Sequence, residues 1–132
     1  YSESVHDAIT IMNGQYGITS SAEVREAAKR IVERKFPNMS INEWVVKDVQ
    51  GKVYGWQEEV YLFKANVDAQ NKLLVHVAPH VDSSALGALL RMIELYKSTT
   101  NDNGYAVAVI TPSVDDAANT LAQQRNIQIM AF

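Results

Sequence analysis

The chain changes its hydrophobic period several times, and each change marks an element. Val24, Ala27, Ala28, Ile31 and Val32 recur at three- and four-residue spacing, which lays them on one face of a helix. Ser20 and Glu23 stand at capping-box spacing ahead of that stripe, so the helix is predicted to start there. Phe36-Pro37-Asn38 ends it, because proline cannot continue a helix and restrains the residue before it. Upstream, the polar turn at residues 13–20 sets apart a helical N-terminal segment, residues 1–13, from a domain spanning residues 14–132.

Residues 41–49 are rich in Val and Trp and read as a strand; Gln50-Gly51 turns, and residues 53–56 are expected to continue the sheet. Residues 59–67 alternate Val60, Leu62 and Lys64 against Tyr61, Phe63 and Ala65. Residues 68–71 make a hairpin loop to a buried strand at 73–78, which completes an antiparallel meander. Asp82 or Ser83 then caps a helix with Leu86, Leu89, Leu90, Ile93 and Tyr96 as its inward stripe, followed by a polar loop at 99–104. Residues 105–111 form an apolar strand. Pro112-Ser113 opens a helix with Ser113 and Asp116 at cap spacing and Val114, Ala117, Ala118 and Leu121 buried. Asn126 closes that helix, and residues 127–132 are a last strand. Strand, helix, strand, helix, strand calls for parallel pairing with right-handed crossovers. The predicted fold class is therefore α/β: one mixed sheet, antiparallel meander plus parallel βαβ crossovers, flanked by helices.

At 132 residues the chain fits one domain, enough to bury roughly two-thirds of its unfolded surface. The absence of cysteine excludes disulfides, thiolate metal sites and cysteine nucleophiles, and agrees with a cytoplasmic location. No apolar run approaches the ~20 residues of a membrane helix, so no membrane partner is expected. A chain beginning at Tyr1, without a signal-peptide pattern, reads as the C-terminal domain of a longer protein. Twelve basic against fifteen acidic residues leave a net charge of −3, so a strongly basic, phosphate-binding surface is missing. Arg25, Lys29, Arg30, Arg34 and Lys35 read as a solvated helix face, with the basic residues near its C-terminal end complementing the backbone dipole.

Several local phrases occur in a telling order: Gly17-Ile18-Thr19-Ser20, Gly51-Lys52-Val53-Tyr54-Gly55, Glu94-Leu95-Tyr96, Pro112-Ser113-Val114-Asp115 and Asn126-Ile127-Gln128-Ile129. Together they resemble a group of uncharacterised prokaryotic domains in the PD-(D/E)XK nuclease superfamily, often placed after a coiled coil. The resemblance runs from about Gly14 to Phe132 and implies a restriction-endonuclease-like core. It also implies where the nuclease ligands belong: an Asp near Tyr61 or Phe63, a Glu-x-Lys on His76-Val77-Ala78, and a helical Glu near Ser21, beside Glu23. Such enzymes hold magnesium with converging carboxylates, because a small hard cation takes oxygen ligands. The metal and the lysine then activate water. Tyrosine, phenylalanine and alanine do neither, so the site near Tyr61, Phe63, His76 and Ala78 reads as degenerate, with no catalytic residue, metal or cofactor at those positions.

An alternative keeps a magnesium-dependent nuclease with a migrated site built from Glu23, Glu59, Lys64 and Asp68, with Glu58-Glu59 its most attractive pair. His76 and His80 invite a zinc reading. Four residues apart on an extended strand, their α-carbons lie roughly 13 Å apart, too far to share an ion without a sharp bend at Pro79. Asp115-Asp116, at a helix start, are better explained as cap and dipole partners than as acid–base groups. No glycine-rich phosphate loop or nucleophile elbow occurs. The favoured expectation is a protein-interaction or assembly module, pairing with a second copy or another protein through sheet edges or the Trp44 and Trp56 region. Nucleic-acid binding without cleavage is the weaker option.

Overall fold

A computed structural model describes residues 3–66, 68 and 71–132. Two helices come first, α1 (Glu3–Gly14) and α2 (Ser21–Lys35), then an antiparallel meander of β1 (Ser40–Asp48), β2 (Glu58–Asn66) and β3 (Lys72–Val77). After it follow α3 (Ser83–Thr100), β4 (Ala106–Ile110), α4 (Asp116–Gln124) and β5 (Ile127–Met130). The sheet has the order β1-β2-β3-β4-β5; the first two pairings are antiparallel and the last two parallel. It is the mixed sheet expected from the hydrophobic pattern.

Pleating sorts β2 and β3 onto two cores. Val60, Leu62 and Leu74 pack with Leu86, Leu89 and Met92 of α3 and Ala118 of α4. Phe63, Ala65, Val75 and Val77 pack with Ile11 of α1 and with Ala28, Ile31 and Val32 of α2. Both crossover helices cover one face, as two right-handed crossovers running in the same direction require. α1 and α2 cover the other. They are clasped by the buried Asp7 carboxylate, which receives Arg30 at 2.9 Å and Arg34 at 2.7 Å.

Local chemistry explains the helix starts. The Ser20 side chain accepts from the Glu23 amide of α2, and Asp82 accepts from the Ala85 amide of α3. α4 departs from expectation. Val81 and Val114 form a parallel bridge that holds the chain extended past Ser113, so the cap is Asp115, accepting from the Ala118 amide at 2.8 Å. With that start, Ala122 is buried and Ala117 faces out.

Residues 53–56 do not continue the sheet. Asp48 is buried and its Oδ2 accepts from the Val53 amide at 2.8 Å, while Gly51 and Gly55 adopt positive φ of 65° and 85°. The segment folds back as a loop that drives Val53 into the core, pinned by Arg91 Nε donating to the Val53 carbonyl at 2.8 Å. The expected hairpin loop falls partly outside the described residues; within them, Asp68 Oδ1 accepts from the Asn71 amide at 3.0 Å. Trp44 is half-buried, packing edge-on against Tyr96 with ring centroids 5.2 Å apart, whereas Trp56 is exposed.

Candidate functional site: a cleft between diverging strands

β2 pairs with β1 along its whole length, from Ser40↔Asn66 to Asp48↔Glu58. With β3 it pairs only from Phe63↔Val75 to Asn66↔Lys72. The first half of β2 therefore parts from the end of β3, and a cleft of about 640 Å³ opens between them. The end of α1 contributes Ile11 and Gly14, and the first turns of α2 contribute Ser21, Val24 and Arg25. The sheet side is lined by Tyr54, Glu58, Glu59, Tyr61 and the segment from His76 to Pro79.

Several of the positions named from the resemblance border this cleft. Tyr61, His76 and Ala78 border the cleft, as does Ser21; Phe63 is sealed in the core beneath. Tyr61 and Phe63 share the α2 face of the sheet, where their rings meet edge to face at 5.6 Å. On β3 the residues of that face are Val75 and Val77, whereas Ala78 packs on the α3 side with Leu74. Strand alternation puts His76 with them. Val75 and Val77 thus share a face with Tyr61, while His76 and Ala78 share the opposite one.

The residues of the migrated site are not brought together. Glu59 borders the cleft, in an ion pair with Arg25, and Arg25 Nε also lies 3.7 Å from Glu43 of β1. Glu23 turns back on its own cap, accepting from Ser20 Oγ at 2.9 Å. Lys64 lies on the face of Val60 and Leu62, away from α2, and Asp68 lies beyond the other end of β2. Glu58 is engaged by Trp56, whose Nε1 donates to Oε2 at 2.7 Å. His80 is exposed and bonds Ser113 Oγ at 2.7 Å. Among the described residues, no group of three or more His, Asp or Glu side chains is placed to hold a metal ion.

The cleft holds its ionisable neutral groups in their uncharged forms. Burial pushes the His76 imidazole down to about 4, and its Nδ1 is buried without a hydrogen-bond partner. Burial pushes the Tyr61 phenol up to about 12, reinforced by Tyr54, Glu43 and Glu58 and opposed by Arg25. Tyr54 is raised by burial and by Glu58, against Arg91. At neutral pH these groups are hydrogen-bonding partners rather than acids or bases. Sequence reasoning read Arg25 only as part of a solvated helix face; its place in the cleft depends on Glu43 and Glu59 sharing one face of the sheet, a tertiary fact.

No described helix is long and apolar enough to cross a membrane. A family model described as "Protein of unknown function (DUF3782)" matches residues 1–57, which run from α1 through β1 into the loop that follows. No curated protein matches the chain. The solved structure of EndoMS in its apo form matches with a TM-score of 0.58 at 13% sequence identity, over 86% of this chain and 46% of that one. The chain thus spans less than half the length of that relative, and the likeness concerns the fold. With its mixed sheet, its meander and its two crossovers, the chain has a nuclease-like, restriction-endonuclease-like α/β fold.

Proposed function

We propose that this domain is a nuclease-like scaffold without a hydrolytic metal centre, serving as a protein-interaction or assembly module. One observation carries the reading: both glutamates of the cleft are already engaged, Glu59 by Arg25 and Glu58 by Trp56. Beside Arg25, the rest of its wall carries no other carboxylate: it is the Gln15 amide, the Thr19 and Ser21 hydroxyls, two phenols, an imidazole and aliphatic carbon. A magnesium ion arriving there would have to compete with a guanidinium already paired to its best ligand. For assembly, the domain offers the outer edge of β1, nine residues long, at one end of the sheet. It also offers Ile9, Met12 and Tyr16, exposed at helical spacing along and just past α1.

Calorimetric titration with magnesium and manganese, followed by incubation with labelled single- and double-stranded DNA, tests the first half. The expected result is neither binding heat nor cleavage. Sedimentation of the wild-type chain and of Ile9→Glu tests the second; an assembly through α1 dissociates in the variant. The second reading, a metal-dependent nuclease with migrated ligands, is favoured by the adjacency of Glu58 and Glu59 at the open end of β2. Metal binding and cleavage, both lost in Glu59→Ala, would establish it instead.

A further inference from the structure

We propose that the outer edge of β1 pairs with the same edge of a second copy of this chain, antiparallel about a two-fold axis at Val45, joining two five-stranded sheets into one. The inference rests on the reading of the domain as an assembly module, and it names the partner and the register.

The sheet ends in two unlike edges. β5, on one side, is four residues long, and a short edge strand offers little to a second chain. β1, on the other side, runs nine residues and pairs with β2 in unbroken register from Ser40 to Asp48. It carries no bulge and no proline, two of the devices that turn an edge away from a neighbour. Because β1 has a partner strand on one side only, alternate N–H and C=O groups along its other side are left for a strand to meet.

Symmetry and charge select a second copy as that strand. A two-fold axis normal to the sheet keeps like faces together, so each residue meets itself or one an even number of positions away. With the axis at Val45, Glu43 lies opposite Lys47 of the second copy, Trp44 opposite its Val46, and Val45 opposite itself. An axis at Trp44 sets Glu43 against Val45 and Lys47 against Ile41, and one at Val46 sets Lys47 against Val45 and Asp48 against Trp44. An axis at Glu43 or Lys47 opposes like charges directly, which is destabilising. Of these registers, the one centred on Val45 alone matches charge with opposite charge and apolar with apolar.

The side chains concerned are available. Val45 is 39% exposed, and Glu43 and Lys47 are exposed. Arg25 Nε at 3.7 Å and Lys29 Nζ at 3.9 Å stand beyond hydrogen-bond distance of Glu43. Lys47, the one lysine of the edge, makes no ion pair among the described residues. Val45 lies beside Tyr61 of β2, so the axis joins Tyr61, Val45 and their copies into one stripe across four strands. Exposed ion pairs contribute little energy, so Glu43 and Lys47 fix the register while the backbone ladder and the stripe hold the copies together.

The experiment is sedimentation equilibrium of the whole chain combined with disulfide trapping. The chain has no cysteine, so each introduced thiol is alone. Directly opposed α-carbons of an antiparallel pair lie about 4.5–5.5 Å apart, within disulfide reach, whereas positions four residues out of register lie roughly 13 Å apart. The wild type is expected to sediment as a dimer. Val45→Lys, which puts like charges on the axis at an exposed position, is expected to give a monomer with unchanged circular dichroism. Mild oxidation is expected to cross-link Val45→Cys to itself, and Glu43→Cys to Lys47→Cys in a mixture, but not Glu43→Cys to itself. The inference is overturned by a wild type that stays monomeric at every concentration, by a dimer that survives Val45→Lys, or by Glu43→Cys cross-linking to itself as readily as Val45→Cys. A dimer kept in Val45→Lys and lost in Ile9→Glu would overturn the β1 edge and leave the assembly reading standing. Metal-dependent cleavage would instead overturn the reading beneath it, so the two failures are distinguishable.

Discussion

Gly14 at the end of α1 lies directly against Val24 of α2: a β-carbon at Gly14 would fall 2.5 Å from Val24 Cγ2. Both residues line the cleft, so the absence of a side chain at Gly14 sets how closely the two helices roof it. Gly14→Ala is expected to destabilise the domain by about 1–3 kcal/mol through overpacking. Adding Val24→Ala should cost less in that background than in the wild type. Urea unfolding of the four chains measures the coupling, and simple additivity would refute the contact as its cause.

Asp7 supplies the second prediction. Burial pushes its carboxyl up, but the hydrogen bonds and charges of Arg30 and Arg34 outweigh burial and hold it below its ordinary 3.8. The folded state therefore binds this proton less readily than the unfolded one. The stability contributed is present above pH 3.8 and is lost as the pH falls through the lowered folded value. Asp7→Asn should be less stable than wild type at pH 7 and approach it in acid. A difference independent of pH would mean that the ion pairs contribute nothing.

His76 acts over a higher window. Its folded value of about 4 lies below the ordinary 6.5, so between those limits the unfolded chain takes up a proton that the folded chain refuses. Stability is thus expected to decline as the pH drops below 6.5. His76→Leu should flatten that part of the curve, since only the His76 titration differs between the two chains. Chemical denaturation at several pH values from 7 to 4 reads the difference. Parallel curves would show that the ring titrates normally.

Asp48 tests the loop that shapes the cleft mouth. Its carboxylate accepts from the buried Val53 amide, and an asparagine oxygen retains that acceptor while alanine does not. Asp48→Ala should cost about 1–3 kcal/mol, and Asp48→Asn a smaller amount. Equal losses would show that the carboxylate charge, rather than the hydrogen bond, holds the loop.

What was legible in the chain was what depends on near neighbours. Ser20 and Asp82 were readable as caps because a cap and its amide lie three residues apart. Alternation in β2 already placed Lys64 with Val60 and Leu62, opposite Tyr61 and Phe63, and so away from Glu59. Other features needed the fold. Residues 53–56 look like strand until Asp48 and Arg91 close on Val53. Which face of β3 the residues His76 and Ala78 take also needed the fold, because a slip of one residue exchanges the faces of a strand. Arg25 escaped notice as a cleft residue because its partners come from two strands that only the sheet brings side by side.

The uneven pairing of β2 has a mechanical consequence. The β1–β2 hairpin is a continuous ribbon moored to the remaining sheet only near Asn66, at the end away from Glu58. At the other end the ribbon is held by side chains alone, Val60 and Leu62 against α3 and Glu59 against Arg25. The width of the opening beside β3 is therefore set by side-chain packing and not by a backbone ladder, so substitutions at those positions can alter the space without unpairing the sheet.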